Sequence, residues 1–154
     1  MPMDPQRLKA NFALVRENGD GLIAYFHADL FQREPALRDL FPASMEKHHH
    51  RLLQALAHIV SLVDDPPALV PFLRELGKRH HGHGITNDHF PQFGVSLLTA
   101  LAHFTGPEWN EDLESDWAAA YSFVAQIMAE AAAEAAAEAA LERSAAAQPV
   151  EAVG

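Results

Sequence analysis

Apolar residues recur along nearly the whole chain at steps of three and four, and nowhere do they alternate with polar ones over a strand's length. That spacing restricts the chain to an all-α fold. Its most informative stretch runs from Leu69 to His80, where Leu69, Leu73, Leu76 and His80 stand at i, i+4, i+7 and i+11. On a helix these four side chains share one face, so the imidazole points where the leucines point. His81-Gly82-His83-Gly84 then supplies two glycines in four residues and ends the helix. An imidazole closing a buried face ahead of a glycine-rich turn suits an iron ligand. It suits a hydrogen-bonded core histidine equally, and helical spacing does not choose between them.

The other helices follow from the same reading. Asp4-Pro5 is a cap followed by a first-turn proline, with Leu8, Phe12 and Val15 in step before Asn18-Gly19. Asp20 is expected to cap a second helix with the stripe Ile23, Phe26, His27, Leu30 and Phe31, which puts a histidine at its centre. Pro35 begins a short helical turn to Phe41. Ser44 is expected to cap a third long helix, from about Met45 to Val63, with a wide apolar band that includes Leu52, Leu56 and Val60. His48 and His49 flank that band, while His50 and His58 fall on the Gln54 side, toward water. Asp64-Asp65-Pro66-Pro67 breaks the chain before the Leu69–His80 helix. Thr86-Asn87-Asp88 offers caps for a helix bearing Phe90, Gly94, Leu98 and Leu101, and Thr105-Gly106-Pro107 ends it. Leu113, Trp117, Tyr121, Val124 and Met128 line one face of the last. The expectation is about six long helices and one short one, forming a single domain over residues 1–143.

From Ala129 onward alanine and glutamate repeat, and Glu130, Glu134, Glu138 and Glu142 make an acidic stripe, read as a solvated extension of the last helix. Residues 144–154 have too little apolar content to fold and are expected to form a disordered tail. The absence of cysteine excludes disulfides, thiolate zinc sites and iron–sulfur clusters. A formal charge of −10 argues against a nucleic-acid partner. No apolar run approaches the roughly 18 residues that would cross a bilayer, so membrane insertion is not expected. The opening residues carry no secretory pattern, and a cytoplasmic location is expected. Ten histidines are the compositional oddity.

Four stretches, in order and at matching separations, resemble one family. Phe26-His27-Ala28-Asp29-Leu30-Phe31, followed by Glu34-Pro35-Ala36-Leu37-Arg38-Asp39-Leu40-Phe41, resembles the second and third helices of bacterial globins. The run from Pro67 through His80 to Gly84-Ile85 is similar to their proximal-histidine segment, and Trp117-Ala118-Ala119-Ala120-Tyr121 to the W-x-x-A-Y of their last helix. The match runs from about residue 8 to 134, with Vitreoscilla-type single-domain haemoglobins and the globin half of flavohaemoglobins as the relatives it is similar to. The resemblance implies a globin fold around haem b, with His80 as the proximal iron ligand and Phe41 packed flat on the porphyrin. Phe41, Leu52, Leu56, Phe90, Leu98 and Met128 would wall the haem, and Arg51 and Arg79 would meet its propionates.

The departures bear on function. The family's distal tyrosine position holds His27, its distal glutamine position His48, and its proximal tyrosine position Phe90, while Glu134 falls near the place of the proximal glutamate. The resemblance implies reversible binding of O2, NO or another diatomic gas, with His27 and His48 on the distal side and His48 as a candidate sixth iron ligand. The alternative is a nitric oxide dioxygenase or peroxidase. The chain has no G-x-G-x-x-G and no flavin or nicotinamide domain, so such turnover would draw on a separate reductase. Missing phenols on both sides of the haem weaken that alternative. A third reading is a haem-free helical protein that uses His27, His48, His49 and others for a divalent metal. Consecutive His48-His49-His50 fan over roughly 200° of a helix and cannot all three meet one ion, and His80-His81-Gly82-His83 is better suited as a surface site.

Overall fold

The computed structural model describes residues 3–82 and 87–147. Among these residues the regular structure is helical throughout, with no strand. The six α-helices are α1 (Pro5–Arg16), α2 (Gly19–Arg33), α3 (Glu46–Ser61), α4 (Pro66–Gly82), α5 (Phe90–Thr105) and α6 (Glu111–Ala147). A 3-10 turn at Pro35–Leu40 is the expected short helix, and two further turns lie at Asn87–His89 and Gly106–Glu108. Among the described residues no helix is long and apolar enough to cross a membrane.

The helix ends show where local signals decide and where they do not. The Asp4 carboxylate accepts from the backbone N–H groups of Gln6 and Arg7 at 3.0 and 3.2 Å, satisfying two of the orphan donors of α1. Asp20, by contrast, is no cap: α2 begins at Gly19, and Asp20 lies in its first turn, where a carboxylate complements the helix dipole. Ser44 is no cap either, since α3 starts at Glu46 with Met45 in the cap position. The loop ahead of α3 is instead held by Arg38, which donates to the carbonyls of Phe41, Pro42 and Ala43 and lies 5.6 Å over the Phe31 ring. At the end of α5 Gly106 adopts φ 72°, a left-handed geometry that glycine takes without steric cost.

The core has two parts. One gathers Leu8, Phe12 and Val15 of α1 with Leu22, Phe26 and Leu30 of α2, Leu101 of α5 and Trp117 of α6. The other gathers Leu69 and Leu73 of α4 with Phe90 and Met128, and Phe93 packs against both parts. Polar pairs tie α1 to the rest. The Asn11 amide donates to Thr105 Oγ1 at 3.0 Å while its oxygen accepts from Trp117 Nε1 at 2.8 Å, so both halves of a buried amide are satisfied. Asp116, 2 % exposed, accepts from the Arg7 guanidinium at 2.5 and 3.0 Å and from the Asp4 N–H at 3.1 Å. Burial opposes its charge, yet these donors hold its carboxyl below the ordinary range.

α4 crosses α6 in close contact, and Gly77 is why it can. A Cβ there would stand 2.5 Å from the Met128 carbonyl oxygen and 2.8 Å from its Cα. α3 is the least anchored helix: Val60 is its one fully buried side chain, and its remaining apolar face is half-buried. Residues 144–147, assigned to the tail on sequence, form the last exposed turn of α6. The rest of that stretch, 148–154, lies outside the described residues, as do His83 and Thr86.

Candidate functional site

His80 lies in the last turn of α4, half-buried, on the face that buries Leu69 and Leu73. Its Nδ1 is 2.8 Å from the carbonyl oxygen of Leu76, one turn back. A carbonyl can only accept, so Nδ1 is the donor here, and in the neutral ring the lone pair then lies on Nε2. This is the tautomer and orientation in which a histidine presents Nε2 to a metal. The same stripe that directs the leucines inward therefore also supplies the carbonyl that sets the ring.

Across the molecule α2 and α3 bring their histidines together. His27 is 4 % exposed, and among the described residues neither ring nitrogen has a well-formed hydrogen bond, the Ile23 backbone one turn back being a weak polar neighbour. Its ring stacks on His49 at 4.7 Å with 7° between the planes, and Phe31 lies at 5.7 Å and 24°. His48 meets it tilted by 55° at 5.1 Å, and Phe41 edge-on at 5.4 Å. Phe41 in turn meets His48 at 5.0 Å and Phe31 at 5.2 Å. Burial, followed by the neighbouring His48 and His49, pushes the His27 imidazole down to about 3. It is a neutral ring at any ordinary pH, with one N–H to donate and one lone pair to accept.

Of the residues singled out on sequence, His27, His48 and Phe41 thus form one cluster. Leu52, Leu56 and Leu98 are half-buried against the first part of the core, and Phe90 is buried in the second. The Phe90 carbonyl accepts from the Tyr121 hydroxyl, which pins the start of α5 to α6, and burial raises the Tyr121 pKa so that the phenol stays a donor. Arg51 and Arg79 are exposed, and neither joins an ion pair among the described residues. Glu134 pairs with Arg74 on the surface. An open groove of about 570 Å³ between α5 and α6 takes in Phe90, Gly94, Leu98 and Tyr121 but none of the histidines. Among the described residues no three His, Asp or Glu side chains converge on one point as a metal-ion set.

The sequence placed His49 beside His48 at the edge of the apolar band but gave it no role at the site. Consecutive residues on a helix diverge by about 100°, so helical spacing alone does not direct both rings to one neighbour. Only the position of α2 across the gap shows that His27 meets both.

The globin sequence profile matches residues 24–128. The chain is 30% identical over 125 residues to a flavohemoprotein of Chromobacterium violaceum and 28% identical over 124 residues to one of Bordetella parapertussis. Each alignment covers 79% of this chain and 31% of the relative, so the chain spans about a third of the length of those proteins. Among solved structures it superposes on the engineered carbene transferase of Rhodothermus marinus, described as a candidate nitric oxide dioxygenase. The TM-score is 0.81 at 27% identity, covering 90% of this chain and 99% of that one. A bacterial globin of Campylobacter jejuni shares the fold with a TM-score of 0.75 at 20% identity, covering 84% of this chain and 94% of that one.

Proposed function

Because the chain belongs to the globin family, we propose that it holds haem b and binds O2 and other diatomic gases reversibly. The observation that carries this reading is the His80 ring on the buried face of α4, oriented by its Nδ1 bond to the Leu76 carbonyl as a histidine ligand to iron is oriented. The remaining residues suit the group. Phe41 is an aromatic face beside the distal histidines, and Leu52, Leu56, Leu98, Phe90 and Met128 supply apolar wall. Arg51 and Arg79 are exposed cations suited to carboxylates at a rim. His27, buried and without a well-formed hydrogen bond at its ring nitrogens among the described residues, is a polar group that a bound ligand would satisfy. The haem would supply the iron that holds the gas; the chain's own residues would hold and orient the haem and offer hydrogen-bond donors. His48 is the principal distal residue in this reading and the candidate sixth ligand of the ferric form, and His27 adds a second N–H.

Purified protein should show a Soret band, and His80→Ala should lose it or shift it strongly, with partial restoration by added imidazole. Wild-type haem content and an unchanged spectrum in His80→Ala would reject the assignment.

A second reading, nitric oxide dioxygenase activity, is favoured by the flavohemoprotein relatives and the Rhodothermus marinus neighbour. It would draw electrons from a separate reductase. Two features of the chain count against it: Phe90 replaces a phenol, and Glu134 is engaged by Arg74. Sustained NO consumption only when a reductase is added would support it.

A further inference from the structure

We propose that His49 is a positioning residue of the distal side: its ring, stacked face to face on His27, sets the plane in which His27 offers its N–H to a ligand on the haem iron. The proposal rests on the haem-binding reading above and extends it to a residue outside the positions carried over from the family. Neither ring nitrogen of His27 makes a well-formed hydrogen bond among the described residues, and the Ile23 backbone one turn back is a weak polar neighbour that does not fix the ring plane. Its orientation comes from the rings around it, and His49 is both the nearest and the most nearly parallel of them, at 4.7 Å and 7°. His48 and Phe41 approach at steep angles and limit tilt without defining a plane. Phe31 lies farther off and less parallel, at 5.7 Å and 24°. Removing the His49 ring takes away the nearest and most nearly parallel neighbour of His27 and frees the ring to tilt into the vacated space. A directional donor then loses its aim, because hydrogen bonds weaken steeply with misalignment.

The C–O stretching frequency of the carbon monoxide complex reads the polarity that distal donors present to the ligand. It is measured with haem content for wild type, His27→Leu, His49→Ala, His49→Phe and the exposed neighbour His50→Ala. The expected result is full haem content throughout. The C–O band of His49→Ala should broaden and move most of the way to that of His27→Leu. His49→Phe, which keeps a flat ring in the stack, should return it to the wild-type frequency, and His50→Ala should not move it. An unmoved band in His49→Ala with haem retained overturns the proposal alone. So does a His49→Phe band that moves as His49→Ala does, since stacking would then not be what acts. A wild-type chain that takes up no haem overturns the functional reading, and this proposal with it.

Discussion

Neutral His27 in the fold, down at about 3, contrasts with the same ring in the unfolded chain, which titrates near 6.5. Between those values the unfolded chain binds the additional proton, so stability rises with pH there and is lost as pH falls from about 6.5 toward 3. In haem-free protein the limiting slope from this one group is about 1.4 kcal/mol per pH unit. Urea midpoints at a series of pH values should show it, and His27→Phe should flatten the profile; an unchanged slope would assign the dependence elsewhere. His27 and His48 also differ in confinement, since His27 is buried among rings while His48 is half-buried beside Phe41. We expect His48→Leu to speed O2 release more than His27→Leu does in stopped-flow measurements; the reverse order would make His27 the gate. Residue by residue, the sequence was most legible where a side chain's role follows from its own helix. His80 is such a case, for both its burial and its carbonyl partner lie on α4. Glu134 is the opposite case: its spacing on α6 is plain, but its partner Arg74 comes from α4, and no local pattern announces that pairing.

Where α4 meets α6, a single missing methyl group sets the distance between two helices. Gly77→Ala would place a Cβ against the Met128 backbone, which cannot rotate away as a side chain would. The helices must then separate, at a cost of about 1–3 kcal/mol typical of overpacking. Because α4 also carries His80, the same substitution should speed haem loss to an apoglobin acceptor. Thermal unfolding and haem-transfer rates measure the two effects, and a variant unchanged in both would show that the crossing is looser than described. The elements themselves were legible from apolar spacing, Asp4 and the glycine stops. Gly77 was not, because a glycine inside a helix gives no sign of close approach until the neighbouring helix is in place. The caps assigned to Asp20 and Ser44 failed for a related reason. Both helix starts are placed by what surrounds them, and for α3 that is a loop tied down by Arg38.

At the scale of the molecule, periodicity says which face of each helix is buried but not which faces meet. The order and separation of four family-like stretches supplied the fold in which they meet. What stayed hidden was the unequal anchoring of the helices. α1, α5 and α6 are joined by the satisfied Asn11 amide, a pairing in which loss of one partner leaves buried polar groups unpaired. α3 has Val60 as its one buried residue and otherwise leans on half-buried neighbours. In native-state hydrogen exchange of the haem-free protein, the amides of α3 should therefore exchange through a local opening well below the global unfolding energy, with α1 and the middle of α5 exchanging last. Haem, binding only the closed arrangement, should slow exchange in α3 far more than in α1. The helix that bears two of the three clustered histidines would then be the part of the molecule that the ligand itself finishes folding.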